Sequence, residues 1–97
     1  MIRHIVLFKL KPEYTWADER VTEAERMAAD VGKEVEDLLE WRAGRNISER
    51  AIAYDFAVMG LVRDEDALQR YLLHPFHQES AARWREISDW VIADLEE

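Results

Sequence analysis

The sequence predicts an α+β fold: a four-stranded antiparallel sheet carrying helices, in the order β-α-β-β-α(α)-β. Three observations lead there. Two runs, Ile2 to Leu10 and Ala51 to Val62, are rich in β-branched and aromatic residues and bounded by polar connections, as strands are. Between them Val21, Ala24, Ala28, Val31, Val35 and Leu38 recur at steps of three and four, the apolar stripe of an amphipathic helix. After Asp64 a second helical pattern begins, is interrupted at His74-Pro75, and gives way to a last short strand, Trp90 to Leu95. That order is the ferredoxin-like split βαβ arrangement.

The first strand has His4, Val6, Phe8 and Leu10 on one face and Ile5, Leu7 and Lys9 on the other. Both faces are largely apolar, so both call for a cover. The chain's helices supply one, and a second copy of the chain, paired through the sheet, is the expected source of the other. Thr15 is the expected cap of the first helix, with Asp18 and Glu19 in its first turn. Trp41 to Ile47 reads as a short strand with Gly44 as a bulge or close approach. In the third strand Asp55, an acid amid apolar residues, is expected to be partnered or near an edge. Asp64 caps the next helix, whose stripe is Ala67, Leu68, Tyr71 and Leu72.

The densest cluster of chemistry is Tyr71-Leu72-Leu73-His74-Pro75-Phe76-His77, which holds two of the chain's three histidines and one of its two prolines. On a straight helix Tyr71 and His77 would stand about 240° apart and could not converge. Pro75 lacks an N–H, crowds the turn before it and biases His74 out of the helical region. The helix is therefore expected to end near Leu73, turn a corner, and restart with Pro75 at its first position. A corner of this kind can bring together groups that one helix holds apart.

Composition narrows the function classes. The 97 residues suit one domain, 1–97, with a modest core that a partner chain would supplement. The net charge of −8 disfavours nucleic acid and anionic membrane surfaces. With no cysteine there are no disulfides and no thiol chemistry, which is compatible with a cytoplasmic location. No stretch reaches the roughly 20 apolar residues of a membrane span, and the apolar run Ile5 to Phe8 is too short for a signal peptide.

Several pieces together resemble the stress-responsive α/β-barrel (Dabb) family. They are Arg3-His4-Ile5-Val6-Leu7-Phe8-Lys9-Leu10, Gly44-Arg45-Asn46, Tyr54-Asp55-Phe56, and above all Leu68-x-x-Tyr71-x-x-His74-Pro75-x-His77. The likeness runs along nearly the whole chain. One departure is the long first helix running into Leu38-Leu39-Glu40-Trp41, where the family more often has an Ile-Pro-Gly-like turn. The resemblance implies a ferredoxin-like fold whose sheet meets a second copy to close a dimeric α+β barrel. Most of the family has no established reaction. One branch includes a plant polyketide cyclase, and its histidine and tyrosine fall on His77 and Tyr71.

The resemblance thus implies Tyr71 and His77 as candidate catalytic residues, and a pocket between sheet and helices whose binding residues are His4, Val6, Phe8, Phe56, Val58 and His74. A neutral His77 can take a proton and a tyrosine hydroxyl can stabilise an enolate, so a cofactor-free, cyclase-like lyase acting on a carbonyl-rich or aromatic molecule is one expectation. The alternative is a non-enzymatic dimeric stress-associated protein in which the Tyr-His-Pro-His corner is a structural joint. His74 then reads as a corner cap and His4 as a residue orienting a neighbouring ring. No metal is expected, since the histidine spacing matches no metal motif, and no signature of haem, flavin, nicotinamide or a phosphate loop is present.

Overall fold

The computed structural model describes residues 1–97. In chain order the elements are β1 (Ile2–Leu10), α1 (Glu19–Glu34), β2 (Glu40–Arg45), β3 (Phe56–Val62), α2 (Glu65–Leu73), α3 (Pro75–Ile87) and β4 (Ser88–Glu96). The strands form one sheet in the order β2-β3-β1-β4, with every neighbouring pair antiparallel. The register decides which side chains share a face. His4 lies between Gly60 and Asp94, Val6 between Val58 and Ile92, and Phe8 between Phe56 and Trp90.

This face carries the helices. Val6, Phe8, Phe56 and Val58 pack against Val21, Ala24 and Ala28 of α1 and Trp84 and Ile87 of α3. A second cluster joins Val31, Val35 and Val62 to Ala67, Leu68 and Tyr71 of α2. The opposite face has no cover within the chain. It presents Ile5, Leu7, Ala57, Met59, Val91, Ala93 and Leu95, and Leu7 is 39% and Leu95 50% exposed.

Several boundaries differ from the sequence-based expectation. The cap of α1 is Asp18, whose carboxylate accepts from the Arg20 N–H at 2.9 Å; Thr15 instead closes the turn before it. α1 stops at Glu34, so Leu38 reaches the core from the following turn. Strand β2 ends at Arg45, and β3 begins at Phe56 rather than Ala51. The intervening loop folds on itself: Asn46 accepts from the Ser48 N–H at 2.9 Å and donates to the Ser48 carbonyl at 2.8 Å. A side chain that offers the backbone local partners competes with the ladder. Ile47 and Ile52 are left exposed. Asp55 is partnered, accepting from the Leu10 N–H at 2.8 Å. β4 is longer than expected, because its whole length pairs with β1.

The break between α2 and α3 falls where Pro75 requires it. His74 is extended, φ −59° and ψ 131°, as a residue before proline prefers. It terminates α2 by donating its N–H to the Tyr71 carbonyl at 3.2 Å and caps α3 by accepting the Phe76 N–H on Nδ1 at 3.1 Å. Asp64 caps α2 through the Ala67 N–H at 2.9 Å.

The close approaches are at Gly32 and Gly60, not at Gly44, where an added Cβ would meet nothing within 4 Å. Trp41 fills the space over both, its indole N–H donating to the Ala28 carbonyl at 2.9 Å. A Cβ on Gly32 would lie 2.8 Å from Trp41 Cβ and closer still to its ring. Alanine would gain about 1 kcal/mol of helix propensity there, but overpacking costs about 1–3 kcal/mol, and the indole is anchored. Gly32→Ala is therefore expected to lower stability in urea denaturation; a stabilised variant would show that Trp41 is free to move.

Candidate functional site

The helix break places a tyrosine and a histidine side by side. Tyr71 ends the buried stripe of α2, and His77 sits in the first turn of α3. Their ring centroids are 4.3 Å apart, inclined at 45°. On the sheet beneath, His4 stands edge-on to Tyr71 with centroids 5.2 Å apart. His4 in turn is bonded through Nδ1 to the Asp94 carboxylate at 2.6 Å. Two helices and two strands thus contribute one group each.

These groups line a cavity of about 300 Å³, at the small end of ligand sites. Val6, Phe8 and Val58 lie in its lining; Trp41, Trp84, Trp90, Ile92, Leu72 and Ala81 add to its apolar wall. It lies towards β4, an edge strand, where Ile92 and Asp94 face the helices but remain exposed.

Each group's surroundings fix what it can do. The Nδ1 of His77 lies 3.1 Å from the Leu72 carbonyl, which only accepts, so Nδ1 carries the proton. In the neutral ring Nε2 is then left with its lone pair. Burial, helped by the positive charge that His4 and His74 can carry, lowers the pKa of His77 below the usual histidine value. It is therefore a neutral base at pH 7. Tyr71 is shifted the other way: burial first, then the Asp94 charge, pushes its pKa up, so the phenol keeps its proton. Its hydroxyl is not sealed in, the one enclosed side-chain polar atom without a partner being Trp84 Nε1. A proton donor and a proton acceptor therefore sit beside one hollow.

Two expected binding residues lie elsewhere. Phe56 stacks on Trp84, with centroids 4.8 Å apart and planes at 18°, and is enclosed in the core below the cavity. His74 spends Nδ1 on the α3 cap and does not line the cavity. Sequence reasoning missed Asp94. Its signal was parity: Trp90, Ile92 and Asp94 alternate along β4, which puts an acid on the helix-covered face opposite His4. Arg85 and Trp90, also in the lining, were missed as well. No three His, Cys, Asp or Glu side chains are placed to hold a metal ion, and no helix is long and apolar enough to cross a membrane.

Fold and site together define a ferredoxin-like α+β domain with a sheet/helix cavity. Comparison with known proteins carries this to a family. Residues 2–97 match the Stress responsive A/B Barrel Domain (Dabb), and the chain belongs to that family. A protein of Streptomyces coelicolor, "Uncharacterized protein SCO4036", is 50% identical over 96 residues, spanning 99% of both chains. Among solved structures, a dimeric ferredoxin-like protein of unknown function from Thermobifida fusca superposes with a TM-score of 0.87 at 26% identity, covering 99% of this chain and 90% of that one. Hydroxynitrile lyase from Passiflora edulis shares the fold, with a TM-score of 0.81 at 15% identity over 97% of this chain and 90% of that one.

The His77 environment can be read directly. In an imidazole ¹⁵N NMR titration its midpoint is expected below 6.5, with the neutral ring protonated on Nδ1. A pKa lowered on folding means that the unfolded chain binds the proton more readily. His77 therefore costs stability as pH falls from about 6.5 through its folded value, and that cost is absent at higher pH. A midpoint above 6.5 or an Nε2–H tautomer would contradict this reading.

Proposed function

We propose that the protein is a homodimer, joined through the open sheet face, that binds a small carbonyl-bearing or aromatic molecule in the Tyr71/His77 cavity and enolises it without a cofactor. The observation that carries this reading is the cavity itself: about 300 Å³, apolar walls, and a phenol and an imidazole in contact at its edge. Such a hollow with a few converging polar groups is what a ligand site requires.

The chemistry follows from the two protonation states. His77 Nε2 takes a proton from the carbon next to a carbonyl, and the C–H pair moves into a C=C bond as the carbonyl π pair moves onto oxygen. Tyr71 donates its hydroxyl hydrogen bond to that oxygen and stabilises the enolate. The enolate carbon can then attack a second carbonyl of the same molecule, closing a ring. The proton on His77 returns to the new alkoxide. His4, held by Asp94, packs against Tyr71 and positions its ring. That a lyase exists on the same fold supports the chemistry only at the level of fold.

A second reading has its own support. The Leu72 carbonyl bond of His77 and the His74 cap both stitch the break between α2 and α3, so the corner also serves as a joint. The readings part in their variants. On the catalytic reading, Tyr71→Phe and His77→Gln each lower turnover of a substrate found by thermal-shift screening of aromatic and polyketide-like carbonyl compounds by about 10²-fold or more, with melting nearly unchanged. Unchanged turnover in both would sink it. On the joint reading His77→Ala destabilises by about 1–3 kcal/mol and ligands have no effect.

The dimer rests on the open face. Its apolar centre, Ile5, Leu7, Ala57, Met59, Val91 and Ala93, is a contiguous patch of a kind that marks interfaces, and the solved relative from Thermobifida fusca is dimeric. Leu7→Glu would bury a charge at the centre of such an interface. Sedimentation velocity should give a dimer for the wild type and a monomer for Leu7→Glu; a monomeric wild type would refute the assembly.

A further inference from the structure

At the Trp90 end of the cavity lies a cation that nothing in the chain neutralises. Arg85, on α3, lines the cavity, and its guanidinium lies 5.4 Å from the centre of the Trp90 ring. None of the ion pairs involves it. The adjacent acid, Glu86, is engaged by Arg20 at 3.5 Å. Lys11 adds a second positive charge nearby, its ammonium 3.4 Å from the Arg85 carbonyl. Arg85 is the cavity's one permanent cation; its one carboxylate, Asp94, is committed to His4.

The two polar ends are separated along β4. Trp90, beneath Arg85, and Asp94, beside His4 and so beside Tyr71, share one face of the strand with Ile92 between them. Four residues of strand span about 13 Å. A ligand whose carbonyl meets Tyr71 and His77 therefore passes Ile92 and brings its far end to Arg85.

We infer that the cavity selects keto acids: amphipathic molecules whose carboxylate is held by Arg85 against Trp90 while a carbonyl on the order of 10 Å away meets Tyr71 and His77. This deepens the cavity reading and rests on it. A guanidinium held over an indole face by a cation–π contact is partly oriented, so its planar fork can meet a carboxylate through two parallel hydrogen bonds. Arg85 would then set specificity without touching the reacting atoms.

The test uses a homologous series of ω-benzoyl fatty acids and their primary amides, titrated by calorimetry into wild type, Arg85→Gln, Arg85→Lys and the cavity-filling Ala81→Trp. The wild type is expected to bind the best acid about tenfold more tightly than its amide. Arg85→Gln should lose that preference while keeping its affinity for the amide, Arg85→Lys should restore part of it, and Ala81→Trp should bind neither. An acid-to-amide ratio unchanged in Arg85→Gln, with Ala81→Trp still abolishing binding, would overturn the carboxylate assignment and leave the cavity reading standing. Failure of the wild type to bind any member of either series would overturn both.

Discussion

A proline has no N–H to give and cannot follow a residue held in a helix without strain. At Pro75 that constraint organises the helical layer. It forces His74 into an extended conformation, and the chain resolves the break economically: one residue closes α2 with its backbone N–H and opens α3 with its side chain. The change of axis lets Tyr71 and His77 meet. The same break frees the Leu72 carbonyl, which in a continuous helix would accept from the N–H of Phe76; His77 takes it instead and is thereby fixed in one tautomer. A single covalent feature thus accounts for the placement, the orientation and the tautomer of the histidine.

The sheet supplies the other half of the site, and its alternation explains why one small chain can hold a cavity. Along β1, His4, Val6 and Phe8 face the helices while Ile5 and Leu7 face away. The helix-covered side spends its bulk at two places: Trp84 against Phe8 and Phe56 at one end, Trp41 over Gly32 and Gly60 at the other. Between them the covering side chains are small, Ala28 and Ala81 among them, and the space stays open. The electrostatics agree with that geometry. Burial drives His77 towards its neutral form and Tyr71 towards its protonated form, leaving complementary partners rather than a charged pair.

Much of this was legible in the sequence because local chemistry set it. Pro75, the Asp64 cap and the helical spacing of Val21 through Val31 each act within a few residues, and each falls where the pattern put it. What was not legible depended on partners far along the chain. Asp94 means little until the register sets it beside His4. Gly44 looked like a bulge or a close approach, yet the close approaches belong to Gly32 and Gly60, because only the fold reveals where Trp41 lies. The run Ala51 to Val62 has strand composition throughout, but only from Asp55 onward does its backbone find partners on the neighbouring chain segments. Phe56 itself has the parity of a wall residue and was drawn into the core by the stacking of Trp84.

A molecule in the hollow should touch the phenol and the imidazole at once. The most direct measurement is an isotope-filtered NMR spectrum of the protein with a bound aryl ketone, read for cross-relaxation between ligand protons and the side chains of Tyr71 and His77. Contacts from one bound ligand to both rings are expected. Contacts to one ring alone, or to residues outside the cavity with both rings silent, would contradict this reading.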